Sequence, residues 1–129
     1  MRSSSFPYDR SLRPPAPSVA LRVASPLRSD GVMLRALLDT GADCTLIPLR
    51  VAQRLRLPRV GRIRITGVTG DEKSASLHAA RLQVAGVTSL TRIAALGDET
   101  IIGRDLLNQW RVALDGPKGV TTLRAPRRK

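Results

Sequence analysis

From Ser18 onward the chain is written in short apolar runs broken by turn residues. Val19, Leu21 and Val23 alternate with Ala20 and Arg22. A turn around Ser29-Asp30-Gly31 follows, and the apolar run Val32–Leu38 completes a predicted β-hairpin that ends at Asp39. After Thr45-Leu46-Ile47, Pro48 opens a stretch from Leu49 to Leu57 in which Val51, Ala52 and Leu55 recur at helical spacing, and Pro58 closes it. Arg62-Ile63-Arg64-Ile65 returns to period two, Gly67–Asp71 is turn chemistry, and Ser76–Val84 resumes as a strand. The pattern therefore predicts a long hairpin with a glycine-bearing tip. A further strand near Leu90–Leu96, the pair Ile101-Ile102 leading into a short helix through Leu106, Leu107 and Trp110, and two last strands at Arg111–Leu114 and Val120–Leu123 complete the reading. The fold class it predicts is all-β, with one or two short helices.

Residues 1–17 carry Ser, Pro and Arg and few aliphatics, a composition that offsets little ordering entropy by burial, so a flexible lead-in is expected there. A basic, frayed tail is expected over 124–129, which leaves 18–123 as one domain. The length of 129 residues allows one core, and only Phe6, Tyr8 and Trp110 are aromatic. Branched aliphatics must fill the interior.

The formal net charge of +12 raises the possibility of a polyanionic partner. Along the sequence, however, the arginines are dispersed and alternate with apolar residues, as solvent-facing positions do. Nucleic acid is accordingly not the expected partner, and so few aromatics speak against base stacking. One cysteine, Cys44, forbids an internal disulfide, and one histidine, His78, forbids a Cys/His metal cluster within one chain. No apolar run approaches a membrane span, so a cytoplasmic protein without metal or cofactor is expected.

Chemistry concentrates in Leu37-Leu38-Asp39-Thr40-Gly41-Ala42-Asp43-Cys44-Thr45-Leu46-Ile47-Pro48. An apolar strand delivers a carboxylate, Thr40 adds a hydroxyl, and Gly41 permits close backbone approach. Alone, Asp-Thr-Gly is weak evidence and reads more readily as an ordinary turn. A second signature, Ile101-Ile102-Gly103-Arg104-Asp105-Leu106-Leu107, follows the glycine-bearing hairpin Ile65–Gly70. Cys44 as a nucleophile lacks a His/Asn framework and reads as a small apolar filler, His78 reads as a strand residue, and Trp110 as a core anchor.

Those three features, in that order, resemble the retropepsin-like aspartic proteases over roughly residues 18–123. The resemblance implies a closed β-barrel with a flap hairpin, acting as a homodimer on a peptide or protein substrate. Because Asp-Thr-Gly occurs once, it implies an Asp39 dyad across a two-fold axis, supported by Thr40 and Gly41. It further implies substrate contacts from Ala42, Asp43, Ile47, Ile102 and the flap residues Gly67, Val68, Thr69 and Gly70, together with an Arg104–Asp43 ion pair. Such a pair, if buried, would cost about 3–5 kcal/mol to break. Retroviral members end soon after the Gly-Arg helix, whereas here the hairpin Arg111–Leu123 continues and resembles the extension of cellular and bacterial relatives. Two other classes stay open on the sequence: a catalytically silent binding or dimerisation module of the same fold, and a nucleic-acid-associated protein.

Overall fold

The structure is a computed structural model and describes residues 3–126. Ten strands and two short helices follow in the order β1 (Ser3–Pro7), β2 (Ser18–Ala24), β3 (Gly31–Leu38), β4 (Leu46–Ile47), α1 (Leu49–Arg54), β5 (Arg59–Thr66), β6 (Glu72–Val84), β7 (Val87–Ala95), β8 (Ile101–Ile102), α2 (Arg104–Leu107), β9 (Arg111–Asp115) and β10 (Val120–Arg124). Seven strands form one sheet in the order β2-β3-β8-β4-β7-β6-β5. A further pairing of β2 with β6, Arg22 opposite Gln83 and Ala24 opposite Arg81, closes six of them into a barrel. β5 stays outside the closure, so it and the first half of β6 project as a hairpin. The 13-residue β6 makes this possible by pairing with β5 through Glu72–His78 and with β7 through Ser76–Val84.

Period-two alternation fills the barrel. Val19, Leu21 and Val23 of β2 point inward and are all but inaccessible, as are Leu82 and Val84 of β6 and Ile93 of β7. Fully burying a side chain such as Leu21 contributes about 1.5–3 kcal/mol. α1 caps the barrel through Val51 and Ala52, while α2 contributes Leu106 and Leu107 and is followed by the buried Trp110. His78 is buried, its ring nitrogens pairing with the Leu57 carbonyl at 3.1 Å and the Ser76 hydroxyl at 2.9 Å. It ties the exit of α1 to β6, the strand role expected of it.

The flexible lead-in expected over residues 1–17 is not what residues 3–17 form. β1 pairs antiparallel with β10, from Ser3 opposite Arg124 to Pro7 opposite Val120, in a separate three-stranded sheet β1-β10-β9. Beyond it, Asp9 and Ala16 exchange backbone hydrogen bonds of 2.8 and 3.1 Å, and the Leu38 amide donates to the Pro17 carbonyl at 3.1 Å. Backbone pairing, with Phe6 packed against the core, orders this segment, and composition does not register the pairing. The basic tail also starts later than expected, since Arg124 belongs to β10. Residues 1–2 and 127–129 lie outside the described residues.

Candidate active site

Asp39 follows directly on β3, and its neighbourhood is built by interlocking residues 39–45 with residues 102–105. The Asp39 amide donates to the Ile102 carbonyl at 3.0 Å, extending the parallel pairing of β3 with β8 by one bond. The Arg104 amide donates to the Ala42 carbonyl at 2.9 Å, and the Arg104 guanidinium to the Thr40 carbonyl at 2.6 Å and to the Asp43 carboxylate. Gly103 lies so close that a Cβ there would stand 2.6 Å from the Cys44 carbonyl oxygen and 2.9 Å from that of Ala42. Only glycine fits.

A second clasp was not anticipated from the sequence. The Thr45 hydroxyl donates to Asp105 Oδ1 at 2.8 Å, its amide donates to Oδ2 at 3.0 Å, and the same hydroxyl accepts from the Gly103 amide at 3.3 Å. Thr45 is inaccessible to solvent. Its hydroxyl is therefore satisfied in both directions, as a buried hydroxyl must be. The available signal was an acidic residue in the first turn of α2 with a threonine six residues after Asp39, which no local pattern connects.

The Asp39 carboxylate is half-exposed, and Oδ1 accepts the Gly41 amide at 2.9 Å. Oδ2 has no partner among the described residues. Asp43 is paired with Arg104, and Asp105 accepts three hydrogen bonds, the third from the Leu106 amide at 2.9 Å. Asp39 and Asp43 each keep one oxygen without a partner, but Asp43 is matched by the Arg104 cation, whereas no cation pairs with Asp39 among the described residues.

The expected ion pair is present, but it is exposed, with Arg104 at 48% and Asp43 at 89% of their side-chain surface. An exposed pair contributes about 1 kcal/mol or less, so the larger cost attached to a buried one does not apply. Burial pushes the Cys44 thiol above its ordinary range, and the Asp105 and Asp43 carboxylates add to the effect. A thiol kept protonated is a poor nucleophile.

Two residues expected to contact substrate are corrected. Ile47 and Ile102 are essentially inaccessible, at 0% and 1%, and belong to the core. Strand alternation turns their neighbours the other way: Leu46 and Ile101 are half-exposed and directly opposite one another in the β4–β8 pair. Gly67, Val68, Thr69 and Gly70 form the exposed tip of the β5–β6 hairpin. Their bonds stay within the turn: Gly67 amide to Asp71 carbonyl at 2.9 Å, Gly70 amide to Gly67 carbonyl at 3.0 Å, and Thr69 hydroxyl to Asp71 Oδ2 at 3.1 Å. Among the described residues no group of three His, Cys, Asp or Glu could hold a metal.

Comparison with known proteins follows the same lines. A search of curated proteins gives no match. Among solved structures, the chain is similar to the EIAV protease complexed with the inhibitor HBY-793, at 27% identity and a TM-score of 0.59, covering 72% of this chain and 86% of that one. It shares the fold of a retropepsin-like aspartic protease from Rickettsia conorii, with a TM-score of 0.62 and 17% identity over 95% of this chain and 89% of that one. The same fold occurs in 16% of a foamy viral protease-reverse transcriptase, at 21% identity and a TM-score of 0.54 over 74% of this chain. The family model described as "gag-polyprotein putative aspartyl protease" matches residues 26–109. With its mainly β fold and its Asp39-Thr40-Gly41 loop, this chain belongs to the retropepsin-like aspartic protease family.

Proposed function

We propose that the chain is an aspartic endopeptidase that works as a two-fold symmetric homodimer. The observation that carries the reading is the Asp39 carboxylate, paired with no cation among the described residues, in a loop whose other carboxylates are held by Arg104 and Thr45. One such carboxylate is a base without an acid. Asp39 of the partner subunit supplies the second, and two adjacent carboxylates share one proton because both cannot ionise side by side; aspartic proteases are the standard example of that splitting.

In that dyad the ionised carboxylate takes a proton from water as the oxygen attacks the scissile carbonyl, and the protonated one donates to the developing oxyanion. Collapse of the tetrahedral intermediate returns a proton to the leaving amine and breaks the C–N bond. The Gly41 amide holds the carboxylate, and the Thr40 hydroxyl supports the two loops across the axis. Leu46 and Ile101, with Ala42, offer an apolar surface to the side chains flanking the cleaved bond. The hairpin tip Thr66–Asp71 serves as the flap, its free amides meeting the peptide backbone while it excludes water.

The free edge of β9 supports the dimer. All five of its residues are exposed, yet Val112 and Leu114 lie on the same side of the sheet as the buried Leu123 and Thr121, their register partners on β10. An apolar side of an edge strand left uncovered is a template for a second copy. Pairing there would leave the outer, polar side of the sheet in water.

The test is cleavage of a diverse peptide mixture between about pH 4 and 7, the range in which a dyad can hold one proton. Wild type should cleave, and Asp39→Asn and Leu114→Arg should not, the latter sedimenting as a monomer. Equal cleavage by Asp39→Asn would remove Asp39 as the catalyst. A fully active monomeric Leu114→Arg would remove the shared dyad, and a silent wild-type dimer would favour a binding module.

A further inference from the structure

The basic residues that are dispersed along the sequence become ordered on the outer wall of the barrel. In β2, Val19, Leu21 and Val23 face the core, so Arg22 faces outward. The register then fixes its neighbours. Ala20 of β2 lies opposite Arg35 of β3, Arg22 opposite Gln83 of β6, Ala24 opposite Arg81 of β6, and Ala79 of β6 opposite Arg92 of β7.

Arg35, Arg22, Arg81 and Arg92 therefore occupy four consecutive strands, each one strand across and two residues along from the last. With the usual strand spacing and rise, successive positions are roughly 8 Å apart, and the row extends for about 25 Å. No acidic residue occupies an outward position on these strands between them. Asp9 pairs with Arg35 at 3.2 Å and offsets that end, and Asp30 sits in the β2–β3 turn with Arg28.

The row is alternately charged and apolar in the other direction. Arg22 lies opposite Met33 and Arg81 opposite Leu90, and these two apolar side chains are among the most exposed in the molecule, at 63% and 71%. The Arg22 and Arg81 guanidinium groups donate to the Ser29 and Arg28 carbonyls at 3.0 and 2.7 Å, which fixes their direction while leaving other N–H donors of each fork free. Arg92 makes no side-chain hydrogen bond among the described residues and is exposed.

We propose that this diagonal row is a docking surface for single-stranded nucleic acid, bound through its phosphodiester backbone without regard to sequence. A line of cations matches a linear polyanion, and guanidinium forks match phosphate oxygens two at a time. Met33 and Leu90 give bases an apolar surface beside the row. A duplex, which presents two backbones across a groove, finds no projecting element here, and a planar membrane would touch a curved barrel wall along too narrow a strip. The surface is independent of the protease reading, since it lies on outward positions and uses none of the Asp39 loop.

The experiment is fluorescence anisotropy of a fluorescein-labelled twelve-nucleotide oligothymidylate titrated with the protein at several salt concentrations. Replacing Arg22, Arg81 and Arg92 together by Gln should weaken binding at least tenfold at about 50 mM salt and flatten the log–log salt slope by about 2, at roughly 0.7 per lost phosphate contact. Because Arg22 and Arg81 also hold the β2–β3 turn, the single exposed change Arg92→Glu is a second variant, expected to weaken binding severalfold with an unchanged melting temperature. Arg50→Gln/Arg54→Gln/Arg56→Gln removes the same charge elsewhere and should leave the affinity within about twofold of wild type, since it costs no contact on the row. Equal losses in that control would attribute binding to net charge and overturn the proposal. So would no binding by wild type, equal affinity for a twelve-base-pair duplex, or binding to phosphatidylserine vesicles or polyglutamate in place of the oligonucleotide.

Discussion

The loop at Asp39 and the tip of the β5–β6 hairpin are both short, polar, glycine-bearing turns at the end of a strand, yet they are held in opposite ways. Every turn of the Asp39 loop is bonded to a segment some sixty residues away: Asp39 to Ile102, Ala42 and Thr40 to Arg104, Thr45 to Asp105 and Gly103. The hairpin tip is bonded only to itself, between Gly67 and Asp71. The first arrangement fixes the direction of a side chain through distant partners, and the second ties a turn only to its immediate neighbours, where local opening costs least. Glycine serves both ends differently: Gly103 permits a close approach, whereas Gly70, at φ +85°, permits a left-handed backbone in open space.

The contrast can be broken most forcefully at Gly103. Gly103→Ala places a methyl against two carbonyls and should destabilise the protein by about 1–3 kcal/mol or more, read as a shift of the urea midpoint. Thr45→Val comes next, because it strips Asp105 and the Gly103 amide of a buried hydroxyl; a loss of about 1–3 kcal/mol is expected, together with weakened peptide cleavage. Gly70→Ala has no neighbour to strike, so only the strained φ opposes it, and about 1 kcal/mol is expected in the same assay. Amides of Gly67–Gly70 should exchange hydrogen far faster than those of Asp39 and Arg104, which compares the two loops directly without mutation.

Smaller still is the effect of acid on the strap that secures β3. Asp9 accepts the Ser11 hydroxyl at 2.6 Å, the Ser11 amide at 3.0 Å and the Arg35 guanidinium at 3.2 Å. The Ser11 bonds, with a lesser contribution from Arg35, hold its carboxyl below the usual carboxylate range. A carboxyl depressed in the folded state stabilises that state above its unfolded pKa and stops doing so as pH falls through the folded value. Melting curves of Asp9→Asn and wild type should therefore differ slightly at neutral pH and converge in strong acid. A difference that grew with acidification would contradict that assignment.

Much of this molecule was legible because its strands alternate cleanly and its turns carry Gly, Asp and Pro where the chain reverses. The β2–β3 and β5–β6 hairpins, the helix after Pro48 and the β9–β10 hairpin were placed from those signals alone. The Asp39 segment and the Arg104–Asp43 pair were legible through resemblance to a family. What escaped depended on distance in sequence. β1 is ordered by the backbone of β10, more than a hundred residues on, and the Thr45–Asp105 clasp joins two residues that are ordinary in their local contexts. The two-residue strands β4 and β8 are too short for alternation to declare a face, so the sequence does not tell that Ile47 and Ile102 turn into the core while Leu46 and Ile101 turn away from it.

The antiparallel pairing of β1 with β10 has a mechanical consequence. Ser3 and Arg124 are opposite one another, so the two ends of the described chain leave the sheet side by side, at the same end of the pair. Tension applied through the termini loads that pair one rung at a time, as a zipper, instead of shearing all its bonds together. β1 should peel away at low force with the barrel still closed, because the barrel lies outside the loaded pair. A pulled molecule would thus lose the small terminal sheet first and the clasped Asp39 loop much later.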